Sequence, residues 1–131
     1  MRVLYLDSSA FVKVVVAEAE SAALRTYLAA AGSRFASSAL LRTEAVRAVR
    51  HLGPDALTTV RDALRRVDLV SVDDRVLDAA GILEPKILRT LDAIHVATAL
   101  ALGDDLEAII TYDDRMLTAA RALGLPAVAP H

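Results

Sequence analysis

The sequence predicts an α/β fold, a three-layer α/β/α sandwich around a central, mainly parallel sheet of about five short strands. Three observations carry this expectation. Short apolar, β-branched runs alternate with segments of helical period along the whole chain. Parallel neighbours need crossover connections, which the intervening helices supply. Acidic residues stand just beyond two of the strand-like runs, where open sheets of this kind collect ligands.

Arg2 to Leu6 reads as the first strand, ending at Asp7, and Ser8 and Ser9 lead into a helical pattern through Val16. Ser21 to Ala31 is a second helix stopped by Gly32, and Arg34 to Ala36 a brief strand that passes through Ser37 and Ser38 into a helix reaching His51. Gly53-Pro54 breaks that helix, and Asp55 opens the next, Ala56 to Arg66. Leu69 to Val72 is strand-like and Asp73 begins a further helix. After Gly81 and Pro85, a helix is expected from Ile87 to Leu102, closed by Gly103. Ala108 to Tyr112 is a β-branched strand, Asp113-Asp114 starts the last helix, Gly124-Leu125-Pro126 stops it, and Ala127 to Ala129 forms a final short strand. No repeat or low-complexity linker interrupts this order, and 131 residues suit one domain over 1–131.

Composition narrows the function classes. The absence of cysteine excludes disulfides, thiolate zinc sites and cysteine nucleophiles, and agrees with a reducing cytoplasm. No apolar run approaches the roughly 18 residues of a membrane span, and a strand so close to the first methionine leads us to expect no signal or transit peptide. The net charge of −2 argues against a basic nucleic-acid coat protein. It does not exclude a nuclease, because acids gathered at a metal site lower the total while 13 of the 15 basic residues are arginines, suited to bidentate phosphate contacts or merely reflecting codon composition. A hydrophobic fraction of 55% and a mean hydropathy of +0.42 predict an apolar surface patch covered by another chain.

Four acids then stand out. Asp7 and Asp113 sit at strand ends, where each can serve as an ordinary helix N-cap. On the helix after Ser38, Leu41, Ala45, Ala48, Val49 and Leu52 define an apolar stripe, and Glu44 lies on its flank, opposite Thr43, Arg47 and Arg50. Asp92 occupies a helix that is apolar nearly all round and therefore buried, where an ionised carboxylate needs either the helix N-terminus or a cation. Brought into one crevice, such acids repel: two carboxylates about 5 Å apart cost roughly 3 kcal/mol at an effective dielectric of 20. A divalent cation removes that cost, and an all-oxygen donor set favours Mg²⁺ or Mn²⁺. A carboxylate cluster with open coordination positions is also what phosphodiester hydrolysis requires.

Four segments, Leu4-Tyr5-Leu6-Asp7-Ser8-Ser9-Ala10, Arg42-Thr43-Glu44, Leu91-Asp92-Ala93-Ile94-His95-Val96-Ala97-Thr98-Ala99 and Ile110-Thr111-Tyr112-Asp113-Asp114-Arg115-Met116, resemble the signature segments of PIN domains, in the family's order. A chain of this length without an appended module is most similar to the VapC toxins of VapBC toxin–antitoxin systems. The resemblance implies a Mg²⁺-dependent endoribonuclease cutting structured RNA such as tRNA or rRNA, with Asp7, Glu44, Asp92 and Asp113 as the catalytic, metal-holding quartet. It implies support from Thr111 by hydrogen bonding; Asp114 and Ser8 are weaker candidates, since helix capping accounts for them. His95, one turn after Asp92, reads as structural, because a metal-activated water makes a histidine base unnecessary. The resemblance further implies a VapB antitoxin, a PIN homodimer within that assembly, contact with DNA only through the antitoxin, and a cytoplasmic location.

Rival classes make different demands. A PIN-domain nuclease of RNA processing outside a toxin–antitoxin pair would share the quartet, and a non-catalytic α/β binding domain would not need it. A phosphoacceptor receiver domain needs a lysine after a late strand, and Lys13 and Lys86, the only lysines, do not fit. A haloacid-dehalogenase-type phosphatase needs a second aspartate that Asp7-Ser8-Ser9 lacks.

Overall fold

Val3–Leu6 is short and apolar, and its last three residues are buried, as a strand covered on both faces must be; it forms β1 at the centre of the sheet. The computed structural model describes residues 2–131. Around β1 stand β2 (Arg34–Ser38), β3 (Asp68–Val70), β4 (Leu106–Ile110) and β5 (Ala127–Val128), in the order β3-β2-β1-β4-β5. Every pairing is parallel; Leu4 aligns with Phe35 and Ala108, and Leu6 with Ile110. The helices are α1 (Ser8–Val15), α2 (Ser21–Ala31), α3 (Leu41–Val49), α4 (Pro54–Leu64), α5 (Asp74–Gly81), α6 (Thr90–Ala101) and α7 (Asp114–Ala122).

Alternation along the strands divides the core into two layers. Leu4, Leu6, Ala108 and Ile110 pack on Ala10 of α1 and on Leu24 and Leu28 of α2. Phe11, Leu41, Ala45, Val49 and Val60 extend that layer through α3 and α4. On the other face, Tyr5, Leu106 and Ile109 meet Val96 and Ala99 of α6 and Met116 and Ala120 of α7, while α5 adds Val76 and Ala80 against α6. The chain moves from β1 to β3 over one face and returns to β4 and β5 over the other, as right-handed crossovers require. The strand order therefore reverses between β1 and β4, and the crevice of this fold class opens at their carboxyl ends.

The expected architecture is the observed one, with local differences. Ser37 and Ser38 belong to β2 and not to the passage into the next helix, because both are buried and the Ser37 hydroxyl donates to the Leu6 carbonyl at 2.6 Å. α4 starts at Pro54, the first helical position, where the missing N–H costs nothing. α6 begins at Thr90, not Ile87, since Arg89 is extended and Ile87 is exposed. β3 and β4 each lie two residues or less upstream of the expected spans, leaving Thr111 and Tyr112 beyond the end of β4. Leu52 leaves the apolar stripe of α3 and is exposed, because Arg50–Leu52 tightens into a 3₁₀ turn that breaks the 3.6-residue period; Ala48, still within α3, is exposed as well. Among the described residues, no helix is long and apolar enough to cross a membrane.

Candidate active site

Asp7 follows the last residue of β1 and is only 2% exposed. Its Oδ1 accepts the Ala10 N–H at 2.9 Å, capping α1, and the Ser9 hydroxyl at 2.7 Å. Its Oδ2 accepts the Thr111 hydroxyl at 2.5 Å, across 104 residues of sequence. Burial raises the Asp7 pKa above the usual aspartate value, and the bonds from Thr111, Ala10 and Ser9 work against that rise, as does the nearby His95 ring. The hydroxyls that neighbour it are thus arranged around the ionised form.

Asp113 caps α7 by accepting the Met116 N–H at 3.0 Å, and its own N–H donates to the Thr111 hydroxyl oxygen at 3.1 Å. Thr111, fully buried, therefore ties Asp7 to Asp113. The cap reading and the site reading of both aspartates hold together, because one carboxylate oxygen can cap a helix while the other faces the crevice. A second strap runs through Ser9, whose hydroxyl oxygen accepts the Tyr112 N–H at 2.9 Å.

Asp92 lies in the first turn of α6 and is half-buried. Its pKa is raised, first by burial, next by the negative charge of Asp113 and then by that of Glu44, with His95 and Arg89 opposing. Three acids brought from α3, α6 and the end of β4 thus act on one another. Glu44, in the first turn of α3, is partly buried, and its Oε1 lies 2.6 Å from His95 Nε2. No lysine or arginine among the described residues forms an ion pair with Asp7, Glu44, Asp92 or Asp113.

Such a donor set, all carboxylate oxygen, fits a hard divalent cation. Among the described residues, however, no three His, Asp or Glu side chains stand in metal-holding geometry. An ion held by these acids would require them to draw closer than they stand here.

The weaker candidates separate. Thr111 is at the centre of the bonding. Ser8 caps nothing and contacts none of the acids; it lines a shallow groove of about 390 Å³ shared with Ser9, Lys13, Glu44 and Tyr112. The expected serine cap of α1 is instead Asp7, with Ser9 as its donor, because a carboxylate is the stronger acceptor. Asp114 is exposed in the first turn of α7 and reaches none of the quartet. Sequence reading missed the part Ser9 plays in holding Asp7 and the contact of His95 with Glu44. The spacing of Ser9 two residues after Asp7 is the only signal that pointed to the first, and nothing local reveals the second, across 51 residues. A roomier groove, of about 800 Å³ beside Tyr27, Arg121 and Pro130, is lined by none of the four acids.

A parallel sheet with hydroxyl-braced acids at its switch point defines a class of acidic-site α/β proteins, and the comparisons with known proteins agree with it. Residues 4–122 match the PIN domain. Ribonuclease VapC46 of Mycobacterium tuberculosis is 55% identical over 130 residues, 99% of each chain. Ribonuclease VapC35 of the same species is 41% identical, covering 97% of this chain and 96% of its own. In fold, the chain is similar to M. tuberculosis VapC20, described as a Sarcin-Ricin loop cleaving toxin, with a TM-score of 0.76 at 17% identity over 97% of this chain and 99% of that one. It is also similar to a chain of VapBC2 from Rickettsia felis bound to a DNA fragment from its promoter, with a TM-score of 0.69 at 14% identity over 98% and 99%. The chain belongs to the PIN-domain family, in its VapC group.

Proposed function

We propose that this chain is a Mg²⁺-dependent endoribonuclease, the toxin of a VapBC-type pair, which hydrolyses phosphodiester bonds in structured RNA such as tRNA or rRNA and so arrests translation and growth. The observation that carries the reading is the juxtaposition of Asp92 with Asp113 and Glu44, beside a buried Asp7 that accepts hydrogen bonds from Thr111, Ser9 and the Ala10 N–H. Full-length relatives named ribonucleases support it.

Asp7, Glu44, Asp92 and Asp113 would hold Mg²⁺, with Mn²⁺ as a substitute of the same ligand preference. A dication bound there supplies Lewis acidity toward the phosphoryl oxygens and makes water a competent nucleophile at neutral pH. The protein contributes position. Ser9, Thr111 and the Ala10 N–H fix Asp7, and Met116 fixes Asp113. The groove carrying Ser8, Ser9 and Lys13 borders Glu44 and gives the RNA backbone a place beside the acids. Attack by water, not by the ribose 2′-hydroxyl, leaves 5′-phosphate and 3′-hydroxyl ends. A VapB-type antitoxin, a homodimer within the toxin–antitoxin complex, contact with DNA only through that antitoxin, and action in the cytoplasm complete the proposal; the VapBC2 likeness supports the antitoxin.

The test is to incubate purified protein with total RNA and sequence the new ends. Cleavage that needs Mg²⁺, yields 5′-phosphates and falls by at least about 100-fold in Asp7→Asn is expected, since losing a metal ligand removes both activation and positioning. EDTA-resistant cutting, or ends bearing a 2′,3′-cyclic phosphate, contradicts the proposal.

A further inference from the structure

A buried hydrogen-bond chain runs from the centre of the sheet to the acids. The hydroxyl of Tyr5 lies 2.6 Å from His95 Nδ1, and His95 Nε2 lies 2.6 Å from Glu44 Oε1. Tyr5 is 0% and His95 1% exposed, and the two rings meet edge to face at 5.8 Å between centroids. A phenol, with an ordinary pKa of about 10, is protonated at neutral pH. The phenol keeps its proton and donates it to Nδ1. The ring's remaining N–H is then on Nε2, donated to the Glu44 carboxylate, so the chain has one direction: Tyr5 O–H to His95, His95 N–H to Glu44. Among the described residues no buried side-chain polar atom lacks a partner, so the chain is closed at its inner end.

Its members sit on the elements that bear the acids. Tyr5 and Asp7 are two residues apart at the end of β1, His95 and Asp92 are one turn apart on α6, and Glu44 reaches across from the helical layer on the other face of the sheet. Glu44 has a flexible side chain and none of the capping or hydroxyl bonds that hold Asp7 and Asp113, and its only described hydrogen bond is to His95. A long side chain fixed in one rotamer has already lost the entropy that ligation would otherwise cost.

We propose that Tyr5 and His95 are positioning residues that hold Glu44 in place for a divalent cation, acting through Glu44 and not on the substrate. The inference rests on the metal-site reading above. A ring N–H braced by a second buried group is the mirror image of the histidine ligand oriented by a carboxylate, an arrangement whose loss lowers metal affinity by roughly 10- to 100-fold.

The experiment is a Mn²⁺ titration followed by electron paramagnetic resonance, on full-length protein with Asp7→Asn as the reference for a lost ligand. Tyr5→Phe removes one oxygen and keeps the ring in place; it should weaken Mn²⁺ binding on the order of tenfold, as His95→Leu should. His95→Gln, whose amide N–H can still reach Glu44, should retain most of the affinity. In a Glu44→Gln background, Tyr5→Phe and His95→Leu should produce no further loss, because the coupling passes through that one side chain. RNA cleavage at saturating Mn²⁺ should show an unchanged KM for RNA with a lowered kcat. Wild-type Mn²⁺ affinity in Tyr5→Phe and His95→Leu, with binding lost in Asp7→Asn, overturns the inference and leaves the metal site standing. Equal losses in the wild-type and Glu44→Gln backgrounds also overturn it, as an effect on the fold alone. Undiminished Mn²⁺ binding in Asp7→Asn removes the metal site and the inference with it.

Discussion

At the scale of single residues, Asp7, Asp92 and Asp113 each serve local structure and a shared site at once. Asp7 and Asp113 end their strands, cap the following helices and are tied together through Thr111. Asp92 lies at the favourable end of a helix dipole, yet burial and its acidic neighbours keep its pKa raised. The sign of the consequence follows. The unfolded chain gives up this proton near pH 4, the ordinary aspartate value. The folded chain holds it to higher pH, so the residue's contribution to stability is complete below pH 4 and is lost as pH climbs through the raised folded-state pKa. Metal-free Asp92→Asn should therefore be as stable as the parent at pH 3.5 to 4 and more stable at pH 7, by under about 1 kcal/mol because Asp92 is partly solvated. Urea unfolding across that pH range in EDTA measures it; a variant less stable than the parent at pH 7 contradicts it.

At the scale of elements, capping alone does not tell a structural acid from one of the candidate site. Asp73 caps α5 by accepting the Val76 N–H at 3.0 Å, much as Asp113 caps α7, but no described hydrogen bond or ion pair joins it to the site. Asp73→Ala and Asp113→Ala should each lose about 1 kcal/mol of stability. Only Asp113→Ala should lose RNA cleavage; equal activity in both variants would show that Asp113 is a cap and nothing more. Element order, parallel pairing and strand-end aspartates were legible in the sequence because they rest on local periodicity and on residues adjacent in the chain. Ser37 and Ser38 were left outside the strand because serine carries no strand signal of its own, and the distant Leu6 carbonyl, which accepts the Ser37 hydroxyl, satisfies it within the sheet. Leu52 was misread because the 3₁₀ turn at Arg50–Leu52 rotates it off the stripe. The role of His95 depends on Tyr5 and Glu44, 90 and 51 residues away, and no window of sequence contains both.

At the scale of the whole molecule, the fold collects acids at one end of its sheet, with no lysine or arginine ion-paired to them among the described residues. The apolar excess expected from composition is concentrated as well: Leu77, Ile82, Ile87 and Leu91, four of the six large exposed hydrophobics, fall on α5, the start of α6 and the segment between them. On the proposed function the acidic end is the feature that matters, since a bound dication would relieve the repulsion that the folded state accepts there. Thermal unfolding with and without Mg²⁺ tests this most directly. The parent should gain stability with added Mg²⁺, by about 2.7 kcal/mol at a hundredfold excess over Kd, and Asp92→Asn should gain far less. An identical Mg²⁺ response in the two proteins, or none in either, would contradict the account.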